Sequence, residues 1–597
     1  MTELEYPFDS SLILKRKKSL RRALLSDGSA RIKKRVAILG GSTTHDIKDV
    51  LELFLLNCGI EPSFYESEYA QYFSDAVFGN EELLAFKPDV VFVHTTTRNI
   101  AEFPRMGMDD AEISSLLERE CGKFEAMWRS IEETHRCPII QNNFEPPFFR
   151  LLGNRDCFDA HGRLSFVSRL NARFAEHART HANFYINDIA YLAACFGLQK
   201  WADPFYWHMY KYALSFDAIP EFAFNLANII KSLYGKNKKA LVLDLDNTLW
   251  GGVVGDDGAE NIEIGQETPA AQLYSEFQGY VKAHKDIGVL LAVSSKNDEE
   301  NALAGLARPD SVLRRGDFVS FKANWLPKSE NVRAIARELN IGEDALVFVD
   351  DNPAERELVR AEVAGCAVPR MTDGSEQDIS AFMPILDRSG FFEATELSAD
   401  DARRTEMYRA NALRAESEAA FASYTDYLLS LEMRAEIAPF SPLYMGRIAQ
   451  LTNKSNQFNL TTRRCTQAEI EAVAEDGDCI TLCGKLSDKF GDNGVVSVVF
   501  GHCDGDTFHI DVWLMSCRVL KRGMEFAMMD ELVARCVARN VKKMVGYYIP
   551  TAKNKMVKEF YALHGFVKAG EDADGTVTWV LEDLAGYRRR NEVIHVV

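Results

Sequence analysis

Apolar runs that end in polar clusters recur along the first 230 residues of the chain. Four of them lie within Arg35–Asp46, Val90–Thr96, Pro138–Asn143 and Phe184–Asp188, and stretches of helical periodicity separate them. Strand and helix alternating at this spacing predict a parallel, doubly wound sheet. Ligands bind at the carboxyl edge of such sheets. The polar residues that the sequence places at this edge are Ser42, Thr43, His94, Asn142 and Asn143.

The alternation of predicted strands and helices returns near Lys238 and continues to about Asp351. The segments ALVL, VLLAVSS (Val289–Ser295) and ALVFVDD (Ala345–Asp351) predict a second α/β domain. The segment SEQDISAFMPILDRSGFFEA follows as a connector. After about Tyr427 the pattern predicts two strands joined by a turn at Asp504–Gly505, then a helix at Gly523–Arg539 and a strand at Lys543–Tyr548. The chain is therefore predicted to be an α/β multidomain protein with an α+β C-terminal domain.

Composition narrows the class of protein. With 597 residues, 47% apolar and 26% charged, the chain is expected to fold into three or more globular domains. The 69 Lys and Arg against 88 Asp and Glu give a net charge of −19, which argues against nucleic-acid binding. The 12 cysteines form no CxxC pair and no apolar run is long enough for a membrane span, so we expect a cytoplasmic protein with reduced thiols.

Two acidic pairs stand at predicted strand ends in the middle of the chain. Asp244 and Asp246 follow ALVL, and Asp350 and Asp351 follow ALVFV. Carboxylates at this spacing repel each other unless a cation neutralises them, and oxygen ligands suit Mg²⁺. Ser295 ends a third strand at the same edge, and Lys328 is placed in the loop segment WLPKSEN. The alternative is a solvated acidic loop without a ligand.

These positions resemble the four motifs of the haloacid dehalogenase (HAD) superfamily of phosphotransferases, in order: DLDNT (Asp244–Thr248), Ser295, Lys328 and VDD (Val349–Asp351). The resemblance implies that Asp244 is the nucleophile that forms an aspartyl-phosphate and that Asp246 is the general acid and base. It assigns Mg²⁺ to Asp244, the backbone carbonyl of Asp246, Asp350 and Asp351. Thr248, Ser295 and Lys328 would hold the phosphoryl oxygens. Ser294 is the alternative to Ser295, which we favour because it directly precedes the polar turn KND.

Longer phrases resemble the FkbH-like proteins: LDLDNTLWGGVVGDDG, SSKND, NWLPKSENV, VFVDDNPAERELVR, LTNKSNQFNLTTRR and SCRVLKRG. The chain is then expected to begin with an N-terminal basic helix at 1–30, followed by an SGNH-like or flavodoxin-like α/β domain at 31–230. The resemblance implies a HAD-like phosphatase domain with a Rossmann-like sheet at 236–375. A helical connector at 376–425 and a GNAT-like acyltransferase domain at 426–597 complete the expected order. The implied activity is removal of phosphate from a donor such as 1,3-bisphosphoglycerate, with transfer of the glyceryl group to an acyl carrier protein. The alternatives are a plain phosphatase of surface-glycan or secondary metabolism with flanking domains that only bind, and a scaffold with a degenerate site.

The sequence departs from the family pattern at two places. Some relatives have a cysteine between the two aspartates, where this chain has Leu245. The GNAT motif that cradles pyrophosphate is represented by Arg518, Lys521 and Gly523, with Lys521 at a position that favours glycine. The implied acyl carrier is therefore a phosphopantetheine arm or a coenzyme A thioester. Cys517, beside this motif, is a candidate nucleophile or a buried strand cysteine.

The N-terminal domain offers a second candidate site. Ser42 in GGST resembles the nucleophile of SGNH-type esterases, and Asn142 or Asn143 is the candidate oxyanion donor. Asp203 and His208 are the candidates for the remaining pair, but they are five residues apart where SGNH enzymes have a spacing of three. A binding or docking domain is the alternative to a hydrolase.

Overall fold

The computed structural model describes residues 1–371, 379–395, 397, 401, 403–418, 421–455, 457–551 and 553–597. These residues form two compact units, Met1–Lys236 and Asn237–Val597. The second unit contains both a parallel sheet with the paired aspartates and a C-terminal mixed sheet. The predicted connector at 376–425 lies partly outside the described residues.

The first unit is built on a five-stranded parallel sheet of order β2-β1-β3-β4-β5. Its strands are β1 (Ile32–Gly40), β2 (Ile60–Glu66), β3 (Val90–His94), β4 (Ile139–Asn142) and β5 (Phe184–Asn187). Successive side chains of β1 enter different apolar cores, with Val36 and Ile38 on one face and Ala37 and Leu39 on the other. The predicted parallel sheet is confirmed, with one additional strand, β2, at its edge.

Helices cover both faces of this sheet. Their bounds are Ser10–Ser26, His45–Asn57, Tyr72–Val77, Glu81–Phe86, Asp110–His135, Arg163–Thr180, Ile189–Phe196, Leu198–Trp201, Pro204–Tyr210 and Ile219–Leu233. The first of them is the predicted basic helix. It buries Ile13, Leu20 and Leu24, and its Lys17 lies 2.5 Å from Asp46 on the next helix. Its basic side chains thus contact acidic partners within the same unit.

A four-stranded parallel sheet of order β8-β7-β6-β9 forms the first part of the second unit. Its strands are β6 (Ala240–Leu243), β7 (Leu290–Ser295), β8 (Ser320–Ala323) and β9 (Leu346–Val349). The helices of this part, with the helix that follows it, are Val254–Asp257, Pro269–Ala283, Glu299–Ala307, Lys328–Glu338, Pro353–Glu362, Ile379–Arg388 and Arg404–Glu418. The central pair β6 and β9 directs both acidic pairs to one edge, because parallel strands share the direction of their carboxyl ends.

One prediction for this sheet is wrong. Lys328 does not lie in a loop but is the first residue of the helix Lys328–Glu338. The helix buries Val332, Ile335 and Ala336 against the sheet, and Pro327 immediately precedes it. Proline is frequent at a helix start because its missing N–H would have no partner there. The helical periodicity in SENVRAIA therefore extends back to Lys328.

The second part of this unit is a mixed sheet of order β16-β17-β15-β14-β13-β12-β10-β18, with β11 paired to β14. Its strands are β10 (Arg434–Ala438), β11 (Phe458–Asn459), β12 (Cys479–Asp488), β13 (Gly491–Asp504), β14 (Thr507–Met515), β15 (Lys543–Tyr548), β16 (Val567–Glu571), β17 (Val577–Leu581) and β18 (His595–Val596). Its helices are Tyr424–Ser430, Met445–Lys454, Gln467–Glu475, Met524–Ala538 and Phe560–Leu563. Most pairs are antiparallel, but β14 pairs parallel with β15.

The predicted turn between the two long strands is present. Asp504 pairs with Thr507, and Gly505 adopts a φ of +63°, which glycine accommodates without a steric penalty. The predicted helix and the strand Lys543–Tyr548 follow in the expected order. The α/β multidomain class with a C-terminal α+β domain is thus confirmed. In the described part of the chain, no helix combines the length and the apolar character that a membrane-spanning helix needs.

Candidate active site

Three carboxylates meet at the carboxyl edge of the sheet β8-β7-β6-β9. Asp244 follows β6, and Asp350 and Asp351 follow β9. One oxygen from each lies within 4.8 Å of the others. Asp244 is 6% exposed and Asp350 is fully buried. Among the described residues, the Oδ1 atom of Asp244 is buried without a hydrogen-bond partner, which is costly for a charged group.

Lys328 lies in the middle of this cluster. Its side-chain nitrogen is 2.7 Å from Oδ2 of Asp244 and 2.5 Å from Oδ2 of Asp350. Burial opposes the charge of this ammonium, but the two carboxylates outweigh burial and raise its pKa. Burial, reinforced by the charge of Asp244, raises the pKa of Asp350 to about 7. The ammonium is thus stabilised by two carboxylates, while one ammonium does not neutralise the whole group of three carboxylates.

The donor set fits a divalent cation. Three carboxylates and one ammonium leave a deficit of two positive charges, and the ligand atoms are hard oxygens. The Oδ1 atom of Asp244, which has no hydrogen-bond partner in the described part of the chain, is available as a ligand. The residues present could therefore hold Mg²⁺ through Asp244 and Asp350, with Asp351 close by.

Thr248 joins the two acidic loops. Its hydroxyl lies 3.3 Å from Oδ1 of Asp351, and the backbone N–H of Asp351 donates to the Thr248 oxygen at 3.2 Å. Ser295, at the end of β7, is buried and lies on the same strand face as Leu291 and Val293. Ser294 is on the opposite face, with its hydroxyl buried and unpartnered. The choice of Ser295 over Ser294 stays a prediction.

Asp246 is held by three donors. The indole N–H of Trp250 and the backbone N–H of Val254 donate to its Oδ1 at 2.9 and 3.0 Å. The side chain of Asn297 donates to its Oδ2 at 2.8 Å. Burial, together with the charge of Asp244, raises the pKa of Asp246, while these hydrogen bonds lower it. The second carboxylate of the DLDNT motif is thus fixed in position and partly shielded from water.

The sequence reasoning missed Trp250 and Asn297. Both stand inside quoted phrases, DLDNTLW and SSKND, so their proximity to the motif was visible, but their contact with Asp246 was not. The segment that carries Trp250 and Val254 folds back through a bridge between Gly251 and Glu263. We call residues 250–263 the flap. It is short, and no separate cap domain stands between Thr248 and the helix Pro269–Ala283.

The motif at 518–523 forms the loop before the helix Met524–Ala538. Lys521 adopts a φ of +64° and Gly523 a φ of +83°. The lysine thus takes the left-handed conformation that glycine would supply, at a cost of about 1–2 kcal/mol. A lysine at this position therefore still adopts the backbone conformation that is typical of glycine.

Contacts from preceding helices cover part of this loop. Tyr424 donates to the backbone oxygen of Lys521 at 2.8 Å, and Arg522 donates to Asn411 at 2.8 Å. Arg518 is mostly buried, contacts Met407 and donates to Ser516 at 3.2 Å. Cys517 is half-buried, with its thiol 4.0 Å from the hydroxyl of Tyr408. The roles of these residues in acyl transfer stay predictions.

In the first unit, the candidate esterase residues are not joined by hydrogen bonds. Ser42 is buried and its hydroxyl has no partner among the described residues. Asp203 caps the helix Pro204–Tyr210 by accepting from Phe205 at 2.8 Å, and His208 is exposed on that helix. Asn143 donates to Asp188 at 2.7 Å and so supports the start of the helix Ile189–Phe196.

Two other side chains lie at this edge in ways the sequence did not show. Asn99 donates to the backbone oxygen of Gly41 at 2.9 Å, directly beside Ser42. His94 accepts from Asn142 at 2.9 Å as the end of a buried amide chain that continues to Asn187 and Asn225. Burial lowers the pKa of His94 to about 3. The hydrolase interpretation stays a prediction.

Comparisons with known proteins agree with this architecture. The family described as "FkbH, N-terminal domain" matches residues 35–231. The crystal structure of the N-terminal part of the protein BF1531 from Bacteroides fragilis, containing a phosphatase domain and complexed with Mg, is 30% identical. That match covers 64% of this chain and 99% of the other, with a TM-score of 0.58. No curated protein sequence matches the chain.

Acetyltransferase structures match about a quarter of the chain at low similarity. The GNAT-family acetyltransferase from Streptococcus pneumoniae is 16% identical over 25% of this chain and 97% of its own, with a TM-score of 0.21. Ard1 from Thermoplasma volcanium is 20% identical over 25% of this chain and 96% of its own, with a TM-score of 0.20.

The parallel sheet, its carboxylate cluster and its buried lysine define a phosphatase domain of the HAD type. The chain belongs to the FkbH-like proteins.

Proposed function

We propose that the protein is a Mg²⁺-dependent HAD-type enzyme that removes phosphate from a phosphorylated acyl donor, such as 1,3-bisphosphoglycerate, and loads the acyl group on an acyl carrier protein. The observation that carries the phosphatase part is the cluster of Asp244, Asp350 and Asp351, in which the ammonium of Lys328 contacts Asp244 and Asp350. Mg²⁺, held by Asp244, the backbone carbonyl of Asp246, and Asp350 with Asp351, would neutralise charge on the phosphoryl group. BF1531 was crystallised with Mg.

Asp244 is the proposed nucleophile. Its Oδ1 has no hydrogen-bond partner, while its Oδ2 contacts Lys328. One oxygen is thus available to attack phosphorus and the other is held in place. Attack on the phosphate ester of the donor forms an aspartyl-phosphate and releases the donor's hydroxyl group, and water then cleaves this acyl phosphate to give inorganic phosphate. The acyl phosphate of the donor stays intact, so its acyl group can pass to a thiol with release of a second phosphate. Lys328, Thr248 and Ser295 would stabilise the charge on the phosphoryl oxygens as it redistributes.

Asp246 is the proposed general acid and base. Its raised pKa allows it to hold a proton that it gives to the leaving group, and to take one from the attacking water afterwards. Trp250, Val254 and Asn297 fix its two oxygens, so the carboxyl group does not rotate away from Asp244. This positioning is expected to matter for rate, because small misplacements of a catalytic group are costly.

A plain phosphatase is the second candidate, and one observation favours it. Leu245, between the two aspartates, is fully buried in the apolar core. The HAD site therefore offers no thiol to carry the acyl group, and transfer must use another group of the enzyme or go directly to the carrier. A phosphopantetheine thiol of a carrier protein or coenzyme A is the proposed acceptor.

Intact-mass spectrometry separates the two candidates. A phosphopantetheinylated carrier protein is mixed with the full chain, Mg²⁺ and 1,3-bisphosphoglycerate, while released phosphate is measured in parallel. We expect the carrier to gain the mass of a glyceryl group without phosphate. Asp244→Asn should abolish both signals, and Asp506→Asn, the same change at an exposed hairpin turn, should keep both.

The remaining outcomes are assigned as follows. Phosphate release without a mass gain for any carrier tested would support the plain phosphatase. Wild-type phosphate release by a correctly folded Asp244→Asn variant would overturn the assignment of the nucleophile.

A further inference from the structure

Three cationic side chains converge where the parallel sheet of the second unit meets its mixed sheet. Lys239 precedes β6, Arg404 begins the helix Arg404–Glu418, and Lys454 ends the helix Met445–Lys454. Lys454 and Arg404 both contact the same atom, Oδ1 of Asp401, with the lysine nitrogen at 3.6 Å. Lys239 donates to the backbone oxygen of Lys454 at 3.2 Å. We call this place the cationic cleft.

The cleft is rich in positive charge. Asp401 is almost fully buried and also accepts from Gln450 at 2.9 Å, so its two oxygens are shared among three donors. Asp401 thus contacts both Arg404 and Lys454, while Asp344, which lies within electrostatic reach of Lys239, is paired with Lys553. Cations therefore outnumber carboxylates here among the residues that the structure describes. Charges of the same sign held this close raise the free energy of the folded protein unless an anion offsets them. Burial, reinforced by repulsion from Arg404, lowers the pKa of Lys454 to about 7.

Helix capping explains only part of this arrangement. A cation at the carboxyl end of a helix is favourable, so the contact of Lys239 with the Lys454 carbonyl could stabilise the helix Met445–Lys454 by itself. It does not explain why Arg404, from another element, points at the same place. The side chain of Lys454 is 36% exposed although it is densely surrounded. Part of this side chain is therefore open to solvent, on the side from which an anion would approach.

The cleft lies beside the thiol of Cys517. Tyr408, one turn along from Arg404, has its hydroxyl 4.0 Å from the Cys517 sulfur. Asn340, from the parallel-sheet part, donates to the Cys517 backbone oxygen at 3.2 Å. Burial lowers the pKa of Lys239, and the negative charge of a Cys517 thiolate would raise it, so the two groups lie within electrostatic reach. The half-buried thiol thus gives a chemical probe of the cleft.

We propose that the cationic cleft binds a phosphate group through Lys239, Arg404 and Lys454. Phosphate is the anion that suits these donors, because the two lysines offer point charges and Arg404 adds a positive charge that its hydrogen bonds to Gly288 and Asp401 hold in place. The site is separate from the carboxylate cluster, because Lys239 precedes β6 and Asp244 follows it at the other end of the strand. The phosphate could come from two sources, free inorganic phosphate or the phosphate of a pantetheine-bearing molecule.

The test is the rate at which iodoacetamide modifies Cys517, followed by peptide mass spectrometry of the full-length protein. Inorganic phosphate, pyrophosphate or coenzyme A is added at constant ionic strength, since salt screens such contacts. The exposed Cys157 and Cys195 of the first unit are internal references in the same digest. We expect the anion to slow modification of Cys517 and leave both references unchanged. A phosphate bound near Asp244 would not shield this thiol.

Variants decide whether the named residues bind the anion. Lys454→Gln should require about tenfold or more anion for the same protection, as expected for loss of a charged hydrogen bond. Lys454→Arg should keep protection. Lys568→Gln, the same loss of charge at an exposed pair with Glu571, should behave like the wild type. Thermal unfolding of each variant checks that the fold is kept.

The outcomes divide as follows. Protection by inorganic phosphate or pyrophosphate supports free phosphate as the source, and protection by coenzyme A alone supports a pantetheine-bearing ligand. Protection by none of the three overturns the proposal. Equal protection in wild type and in folded Lys454→Gln also overturns it, because the anion would then bind elsewhere.

Discussion

Trp250 donates its indole N–H to Asp246 across 2.9 Å and thereby ties the flap to the loop after β6. The same tryptophan is fully buried and packs near Gly305, where an added Cβ would lie 2.9 Å from the indole ring. It therefore both anchors the flap and orients the proposed general acid.

Trp250→Phe should keep most of the packing and remove this hydrogen bond. We expect the turnover number for phosphate release to fall by at least about tenfold, with little change in KM, because general acid–base catalysis depends on the placement of the carboxyl group. Steady-state kinetics on a phosphorylated acyl donor measures both quantities. Trp325→Phe is the matched control, since that indole donates to Asp298 at the surface and is 70% exposed. A fall in both variants, or in neither, would contradict the positioning role.

Lys328→Gln should destabilise the second unit in the absence of divalent cations. The buried carboxylates of Asp244 and Asp350 would lose the ammonium that contacts both of them, and breaking a buried pair costs about 3–5 kcal/mol. Mg²⁺ should restore part of this loss, because a ligand that binds the folded state stabilises it. Urea unfolding in EDTA and in Mg²⁺ measures both effects.

Lys322→Gln is the control for that experiment. Lys322 lies on strand β8, is partly exposed and pairs with Glu338 at the end of the helix Lys328–Glu338. Its substitution should lower the free energy of unfolding by less than about 1 kcal/mol. If Mg²⁺ stabilised neither the wild type nor Lys328→Gln, the proposed metal site would be wrong.

The buried His94 is expected to make the folded state of the first unit less stable in acid. Its folded-state pKa of about 3 lies below the ordinary value of 6.5, so the unfolded chain binds a proton that the folded chain excludes. Stability is therefore unaffected near neutral pH and falls as pH drops from about 6.5 towards 3, by about 1.4 kcal/mol per unit of pKa difference at most. Hydrogen exchange of β3 and β4, followed by mass spectrometry between pH 7 and pH 4.5, should show this loss.

His94→Gln should flatten that pH dependence, since glutamine does not titrate. His208→Gln, which replaces an exposed histidine of the same unit, should leave it as in the wild type. An equal slope in His94→Gln and wild type would show that other groups cause the acid sensitivity.

Ser42→Ala tests the first unit as a hydrolase. Because Asp203 and His208 make no hydrogen bond to Ser42, we expect hydrolysis of a simple aryl acetate ester to be the same in wild type and variant. Phosphate release should also be unchanged. A loss of ester hydrolysis of about a hundredfold or more would instead support a nucleophilic serine.

The sequence was most informative where reactive or charged side chains directly follow a predicted apolar strand. Asp244 and Asp350 follow uninterrupted apolar strands, so their meeting at one edge could be predicted from the parallel topology. The strands β2 and β8 could not be recognised so easily. Both lie at sheet edges, and their mixed burial leaves no continuous apolar run.

Contacts between elements that are distant along the chain could not be predicted from the sequence. The chain of amides from Asn225 to His94 draws on four elements, and the contact of Lys239 with Lys454 joins residues 215 positions apart. No local pattern encodes such pairs. The helical start at Lys328 is different, since Pro327 and the following periodicity did carry the signal.

The cationic cleft has a practical consequence for dividing the chain. A fragment that ends before Asp401 would keep Lys239 but lose the Lys454 carbonyl that accepts its hydrogen bond, and it would uncover the surface that Asn340 and Asp344 present to Cys517 and Lys553. Such a fragment can retain the phosphatase residues and still differ from the full-length protein in solubility and stability. Kinetic constants measured on an isolated phosphatase domain would then describe the truncation as much as the enzyme.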